Sequence, residues 1–311
     1  MNWAEKRVLV TGSSGFLGKY VVEELKNRGV QNLQLPNSSE FDLRKQENCE
    51  KIVQNSDIVF HVAGMVGGID YMKKNPAHVF YDNLTMGTHI IEESKNAGIE
   101  KLILVGTVCS YPKFAAIPFK EEQIWEGYPE ETNASYGLAK KMQLVQSDAY
   151  RQQYDFNSIC VIPTNMYGPT DNFSDDTSHV IPAIIKKIHN AIQKDDKDIL
   201  LWGDGSPTRD FLFVKDTAKG IVLAAEKYND SEPINLGSET EISIKELAET
   251  ISELMNYHGD IKWDKTKPNG QPRRCVSNNR ARELLEFKPE ISIKEGLTQT
   301  IEWFSQQQNR V

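Results

Sequence analysis

The apolar run VLV at residues 8–10 passes directly into TGSSGFLG, and a helical pattern follows to Gly29. This junction constrains the fold more than any other stretch. RVLVTG (7–12) reads as a buried strand. GFLGKYVVEELKNRG (15–29) places Phe16, Val21, Val22 and Leu25 at helical spacing and ends on a glycine. Gly12, Gly15 and Gly18 therefore sit between a first strand and a first helix. Glycines there allow a tight turn, close approach of a pyrophosphate and close helix–strand packing, and the helix N-terminus favours negative charge. The spacing is G-x-x-G-x-x-G. A simple structural turn would also use glycine, but the strand–loop–helix context supports a dinucleotide site.

The pattern continues. NLQLP, DIVFHVAG, KLILVG and NSICVIPT (157–164) read as strands, with helical stretches at roughly 46–54, 76–97 and 134–153 between them. Wholly apolar strands alternating with helices imply an α/β fold: a Rossmann-type, doubly wound parallel sheet with helices on both faces. After residue 165 long loops rich in Pro, Gly, Asp and Asn separate helices near 180–193, 216–227, 243–255 and 293–308. Such loops, holding Trp, Arg and His, suit a smaller α/β substrate lobe. FLFVKDTAKGIVLAAEK (211–227) reads as a return to the first lobe. The division expected is 1–164 plus about 211–228 for the dinucleotide lobe, and 165–210 with 229–311 for the substrate lobe.

With 311 residues and 39% hydrophobic content, the chain is long enough for two lobes. A net charge of −8 speaks against non-specific nucleic-acid binding, which needs a basic surface. MNWAEKRVLV does not read as a secretory signal, and no apolar stretch reaches the length of a membrane span. The four cysteines (Cys49, Cys109, Cys160, Cys275) form no C-x-x-C pair, and the six histidines show no H-x-x-x-H spacing. No metal or disulfide framework is expected, and reduced thiols point to the cytoplasm.

At the end of strand two an NAD enzyme usually carries an acid for the ribose 2′-hydroxyl. LQLPNSSEF (33–41) has none before Glu40. Asn37, Ser38 and Ser39 offer hydrogen bonds to a 2′-phosphate, but no arginine is seen beside them. The expectation is NADP(H), with Asp42 in FDL as a partner for the adenine.

Tyr136 and Lys140 in SYGLAKKMQLV are four apart and share a helical face. A cation near a phenol is expected to lower its pKa, so that it exchanges a proton with a carbonyl oxygen as hydride moves. The lysine would also hold the nicotinamide ribose. Thr107, at a strand end between the glycine loop and this pair, supplies a hydroxyl. If residues 107–109 are extended, Thr107 and Cys109 point to the same side.

The glycine loop, Thr107, Tyr136 and Lys140 resemble the extended short-chain dehydrogenase/reductase superfamily. MVGGI (65–69), CSYPK (109–113), PTNMYGPTDNF (163–173), SHVIPA (178–183), WGDGSPTRDFLFVKD (202–216) and KPNGQPRR (267–274) resemble the GDP-L-fucose synthase family in particular. That resemblance spans nearly the whole chain. It implies an NADPH-dependent enzyme that epimerises C3 and C5 of GDP-4-keto-6-deoxy-D-mannose and reduces C4. It implies Cys109 and His179 as the epimerisation pair. A ketone at C4 acidifies the C3 and C5 hydrogens, and inversion needs a base on one face and an acid on the other. A free thiol near about 8.5 and an imidazole near about 6.5 bracket neutral pH.

The resemblance also implies Phe16, Leu17, Asn83, Pro163, Asn165 and His179 in the cofactor site. For the GDP-sugar it implies Lys187, Arg209 and Arg274 as a cationic clamp, Trp202 beside the nucleotide, and Asn165 with Thr107 at the hexose. Thr107 stands where the family often carries serine, and strand two lacks the arginine some members use for NADP. The helices near 76–97 and 134–153 match the pair that related enzymes pack into a homodimer. Two alternatives stay open: an enzyme that keeps only the C4 reduction or acts on a sibling sugar (the GDP-colitose or GDP-deoxyheptose routes), and a non-catalytic NADP-binding protein on the same fold.

Overall fold

The computed structural model describes residues 1–267 and 269–308; Pro268, within the motif at 267–274, lies outside them. The first lobe starts with β1 (Arg7–Thr11), α1 (Phe16–Asn27), β2 (Asn32–Gln34), α2 (Gln46–Val53) and β3 (Ile58–His61). It continues through α3 (Ile69–Lys74), α4 (Pro76–Asn96), β4 (Lys101–Val105), α5 (Ala134–Tyr154) and β5 (Ser158–Pro163). These strands pair in parallel in the order β2-β1-β3-β4-β5. Their alternation shows in the core. Val8, Val10, Ile58, Phe60, Ile103, Val105, Ile159 and Val161 meet α1 on one face. Leu9, Val59, Leu102, Leu104, Cys160 and Ile162 pack toward α2, α4 and α5 on the other. The order reverses at β1, which leaves a crevice beyond the carboxyl ends of β1 and β3.

The chain then runs through β6 (Asn165–Tyr167), α6 (Val180–Lys194), β7 (Asp198–Trp202), β8 (Thr208–Phe213), α7 (Val214–Lys227) and β9 (Ile234–Leu236). It finishes with β10 (Glu241–Ser243), α8 (Ile244–Leu254), β11 (Asp260–Asp264), β12 (Arg273–Arg274), α9 (Asn279–Leu285) and α10 (Ile293–Gln308). β8 pairs with β10 antiparallel and with β6 and β12 in parallel, and β7 pairs with β11. This small mixed sheet and its helices are the second lobe. β8 and its junction with α7 serve both cores: Phe211 and Phe213 face the second, Leu212 and Val214 the first.

The expected α/β fold class holds. The lobe boundary at 229 needs correction. β9 pairs with β5 as the sixth strand of the first sheet, and Ala281, Leu285 and Phe287 sit in the first-lobe core. A three-residue strand carries too little periodicity to announce itself. No helix of the described residues is long and apolar enough to cross a membrane.

Candidate active site

A cavity of about 1010 Å³ lies in the crevice between the lobes. Its first wall begins at the glycine loop. Gly12 has φ +67°, and a Cβ there would meet the Ala63 backbone at 2.8 Å. A Cβ on Gly18 would strike the Gly12 carbonyl. Gly15 caps α1 without a side-chain hydrogen bond, so the first N–H groups of the helix have no side-chain acceptor there. Gly12, Gly15, Phe16, Leu17 and Gly18 all line the cavity. A bare backbone turn aimed at a helix N-terminus fits a pyrophosphate, and the residues present fit the expected dinucleotide.

At the far end of this wall lie Ser38, Asp42 and Arg44. Arg44 corrects the expectation that no arginine reaches this region. Its guanidinium grips Asp42 at 2.8 Å and reaches Asp82 at 3.4 Å. The hydrogen bond from Arg44 holds the Asp42 carboxyl down to about 2. The Arg44 cation is thus balanced by two carboxylates. Arg44 directly follows FDL, outside the stretch where a 2′-phosphate partner is usually sought.

Deeper in, Thr107, Cys109, Tyr136 and Lys140 converge on the cavity. Thr107 is extended, but residues 108–110 form a single 3₁₀ turn, and the Thr107 hydroxyl accepts the Cys109 N–H at 3.2 Å. The two side chains share the cavity because of this capping turn, not through the strand alternation anticipated. α5 comes down onto the same turn at Gly137, where any Cβ would strike the Cys109 carbonyl. The Ser110 hydroxyl donates to the Gly137 carbonyl at 2.9 Å. This contact sets Tyr136 beside Thr107.

Burial raises the Tyr136 phenol above its usual value; a Cys109 thiolate adds to this, and the Thr107 hydroxyl opposes it. The lowering expected from Lys140 is not found. Lys140 is itself buried, and desolvation lowers its pKa to about 8.

The second wall carries the other candidates. Pro163 ends β5 and lines the cavity, as does Asn165, whose amide donates to the Asp210 carbonyl at 2.8 Å. His179 precedes α6, exposed to the cavity; the surrounding walls lower its pKa by desolvation. Lys187, half-buried, donates to the Leu200 carbonyl at 2.6 Å. Trp202 is 49% exposed and available for stacking, with Lys267 5.4 Å from its ring centre. Arg209 and Arg274 stand opposite each other in the β8–β12 register. Neither forms a salt bridge among the described residues. Burial pulls the Arg209 pKa down first, and the Arg274 charge adds to it. A guanidinium keeps its proton at neutral pH, so this pair calls for an anion.

Asn83 is the exception among the expected cofactor residues. It is 1% exposed and does not line the cavity. Its amide donates to the Met65 and Val79 carbonyls at 2.8 and 2.7 Å and accepts from Met65 N–H at 3.0 Å. With its polar atoms committed, Asn83 fixes the loop at 64–68 that forms the cavity edge. Gln271 was not anticipated; it accepts from Arg274 Nε at 3.2 Å and donates to the Lys113 carbonyl at 2.9 Å.

The NAD dependent epimerase/dehydratase family model matches residues 8–237. The chain belongs to this family. It is 38% identical to a GDP-L-fucose synthase of Sinorhizobium fredii over 301 residues, covering 96% of this chain and 95% of that one. It is 30% identical to a GDP-L-colitose synthase of Yersinia pseudotuberculosis, covering 97% and 99%. Among solved structures, a GDP-L-fucose synthetase from Naegleria fowleri bound to NADP superposes with TM-score 0.88 at 29% identity, covering 98% and 95%. A GDP-6-OMe-4-keto-L-xylo-heptose reductase from C. jejuni superposes with TM-score 0.91 at 25% identity, covering 97% and 98%. Within its family the chain groups with the GDP-L-fucose synthases and is an NAD(P)-dependent epimerase/reductase. A bound nicotinamide would supply hydride; what the chain itself brings to the reacting end of the cavity is a phenol, a hydroxyl, a thiol, an imidazole and the cations Lys140, Lys187, Arg209 and Arg274.

Proposed function

We propose that the protein converts GDP-4-keto-6-deoxy-D-mannose to GDP-L-fucose, inverting C3 and C5 and then reducing C4 with NADPH. One observation carries this reading: Cys109 and His179 open onto the same cavity as Thr107, Tyr136 and Lys140. A plain ketone reductase needs only the last three. Thr107 and Tyr136 hold the C4 oxygen, which withdraws electrons from C3 and C5. Cys109 and His179 come from different lobes, which suits proton removal and return on opposite faces of the sugar. Tyr136 then gives its proton to the C4 oxygen as hydride arrives, and Lys140, on the same face of α5, holds the nicotinamide ribose.

Arg209 and Arg274 face the pyrophosphate, with Lys187 and Trp202 toward the nucleotide. A cavity of this volume lies at the upper end of the range for ligand sites, and its lining runs from the glycine loop to Trp202, which suits a dinucleotide with a nucleotide sugar. At the cofactor's far end, the lack of an acid directly after β2, before Glu40, and the Ser38 hydroxyl favour NADPH over NADH. The neutralised Arg44 makes that preference modest.

Likeness to the colitose synthase and the heptose reductase supports a second reading, the same chemistry on a sibling GDP-sugar. Tyr81 (60% exposed) on α4 and Val145 (48% exposed) on α5 support a homodimer through these helices. The location proposed is the cytoplasm. The test is incubation with NADPH and a panel of GDP-, dTDP- and UDP-4-keto-6-deoxy sugars, with product stereochemistry read by NMR. GDP-L-fucose from the GDP-mannose-derived ketone is the expected result. Reduction without inversion, or turnover confined to another sugar, overturns it.

A further inference from the structure

Arg273 and Arg274 are neighbours on β12 and face opposite ways, as strand residues do. Arg273 is exposed and forked onto Glu241 at 2.5 and 3.0 Å. Arg274 is 8% exposed and has no carboxylate at salt-bridge distance among the described residues. Its Nε donates to Gln271 Oε1 at 3.2 Å, and its Nη1 lies 3.6 Å from Cys109 Sγ. Arg209, opposite Arg274 in the strand register, and Tyr136 on α5 line the same cavity as this sulfur. The chain has thus brought a buried guanidinium onto the thiol and left its charge unpaired.

We infer that Arg274 is a positioning residue for Cys109, acting on the thiol before any substrate pyrophosphate arrives. The inference rests on the reading of Cys109 as an epimerisation base. Gln271 fixes one edge of the guanidinium, and the other edge orients the sulfur toward the cavity. The guanidinium also sets a fixed positive charge beside the sulfur. Arg274 itself moves no proton, because a guanidinium does not titrate at neutral pH. In proton removal, the carbon–hydrogen bond breaks, its electron pair passes toward the C4 oxygen, and the proton goes to Cys109 Sγ. Two jobs on one side chain explain why this arginine, unlike its neighbour, is kept from carboxylates.

The test is alkylation of Cys109 in the full-length protein without substrate, comparing neutral iodoacetamide with anionic iodoacetate at one pH. C109S gives the blank for Cys49, Cys160 and Cys275, which are buried. R274Q is expected to slow iodoacetamide about tenfold, because the sulfur loses the group that orients it, and iodoacetate more, because the attraction of its carboxylate to the fixed cation is lost as well, and R274K to restore most of both rates. Rates in R274Q within twofold of the parent overturn the inference, as does failure of R274K to restore them. If R274Q does not fold, R274M supplies the same comparison with the charge removed and the volume kept. Labelling needs no turnover, so a wrong sugar assignment leaves its result untouched, and failure of the labelling leaves the sugar assignment standing.

Discussion

Lys140 and Arg209 face one cavity from opposite lobes, each without a salt bridge among the described residues. Burial brings the lysine down to about 8, within reach of neutral solution. The arginine is destabilised in the same direction, yet its guanidinium stays charged. The difference separates the two walls. The first-lobe wall is built from groups that exchange protons or tune that exchange: Tyr136, Thr107, Cys109 and Lys140. The second-lobe wall holds Arg209, Arg274 and Lys187, whose charge suits holding an anion, and contributes His179 as its single proton-exchanging group.

Substitutions on each wall should therefore fail differently. The largest effect is expected from Y136F, which removes the proton donor for C4. NADPH oxidation with the GDP-keto-sugar should fall by roughly 10²–10⁴ in kcat, with KM little changed. A variant retaining a tenth of the activity would take Tyr136 out of the mechanism. R209M on the opposite wall should weaken GDP-sugar binding by roughly 10- to 100-fold, the worth of a charged hydrogen bond, with kcat within about threefold. A dominant loss in kcat would erase the distinction between the walls.

A third substitution probes the cofactor's far end. S38R adds an unpaired cation where Arg44 is already neutralised. The ratio of NADP to NAD affinity, measured by titration of the free protein, should rise about tenfold; an unchanged ratio would place the 2′-phosphate elsewhere. The smallest effect concerns stability. Lys140 releases its proton near 8 when folded and near about 10.4 when unfolded, so stability should rise with pH across that window, by on the order of 2 kcal/mol. Urea unfolding of K140M should lack this rise between pH 8 and 10. A rise of equal size in both proteins contradicts the assignment.

The first wall was the more legible in sequence. Val8, Leu9 and Val10 announce a buried strand as an unbroken apolar run, and Tyr136 and Lys140 declare a shared helical face by spacing alone. The second wall depends on long-range register. Arg274 opposite Arg209 follows from a two-residue strand pairing with β8, and nothing local to QPRR separates the outward Arg273 from the inward Arg274. Resemblance pointed to these positions where periodicity gave no signal. Other details were hidden for the same reason. Asn83 carries the right residue type for a ligand contact, but its amide is spent on Met65 and Val79. The side-by-side placement of Thr107 and Cys109 was foreseen, but its cause, a capping turn, depends on α5 pressing through Gly137. β9 is visible only through its pairing with β5.

The central claim is that one carbonyl serves both walls, accepting electron density during inversion at C3 and C5 and then hydride at C4. The direct measurement is turnover in deuterium oxide with GDP-4-keto-6-deoxy-D-mannose and unlabelled NADPH, the product analysed by NMR for the wild type and for C109S. The account predicts deuterium at C3 and C5 in the wild-type product, and its loss in C109S at one or both carbons. A wild-type product reduced at C4 with hydrogen retained at both carbons would contradict it.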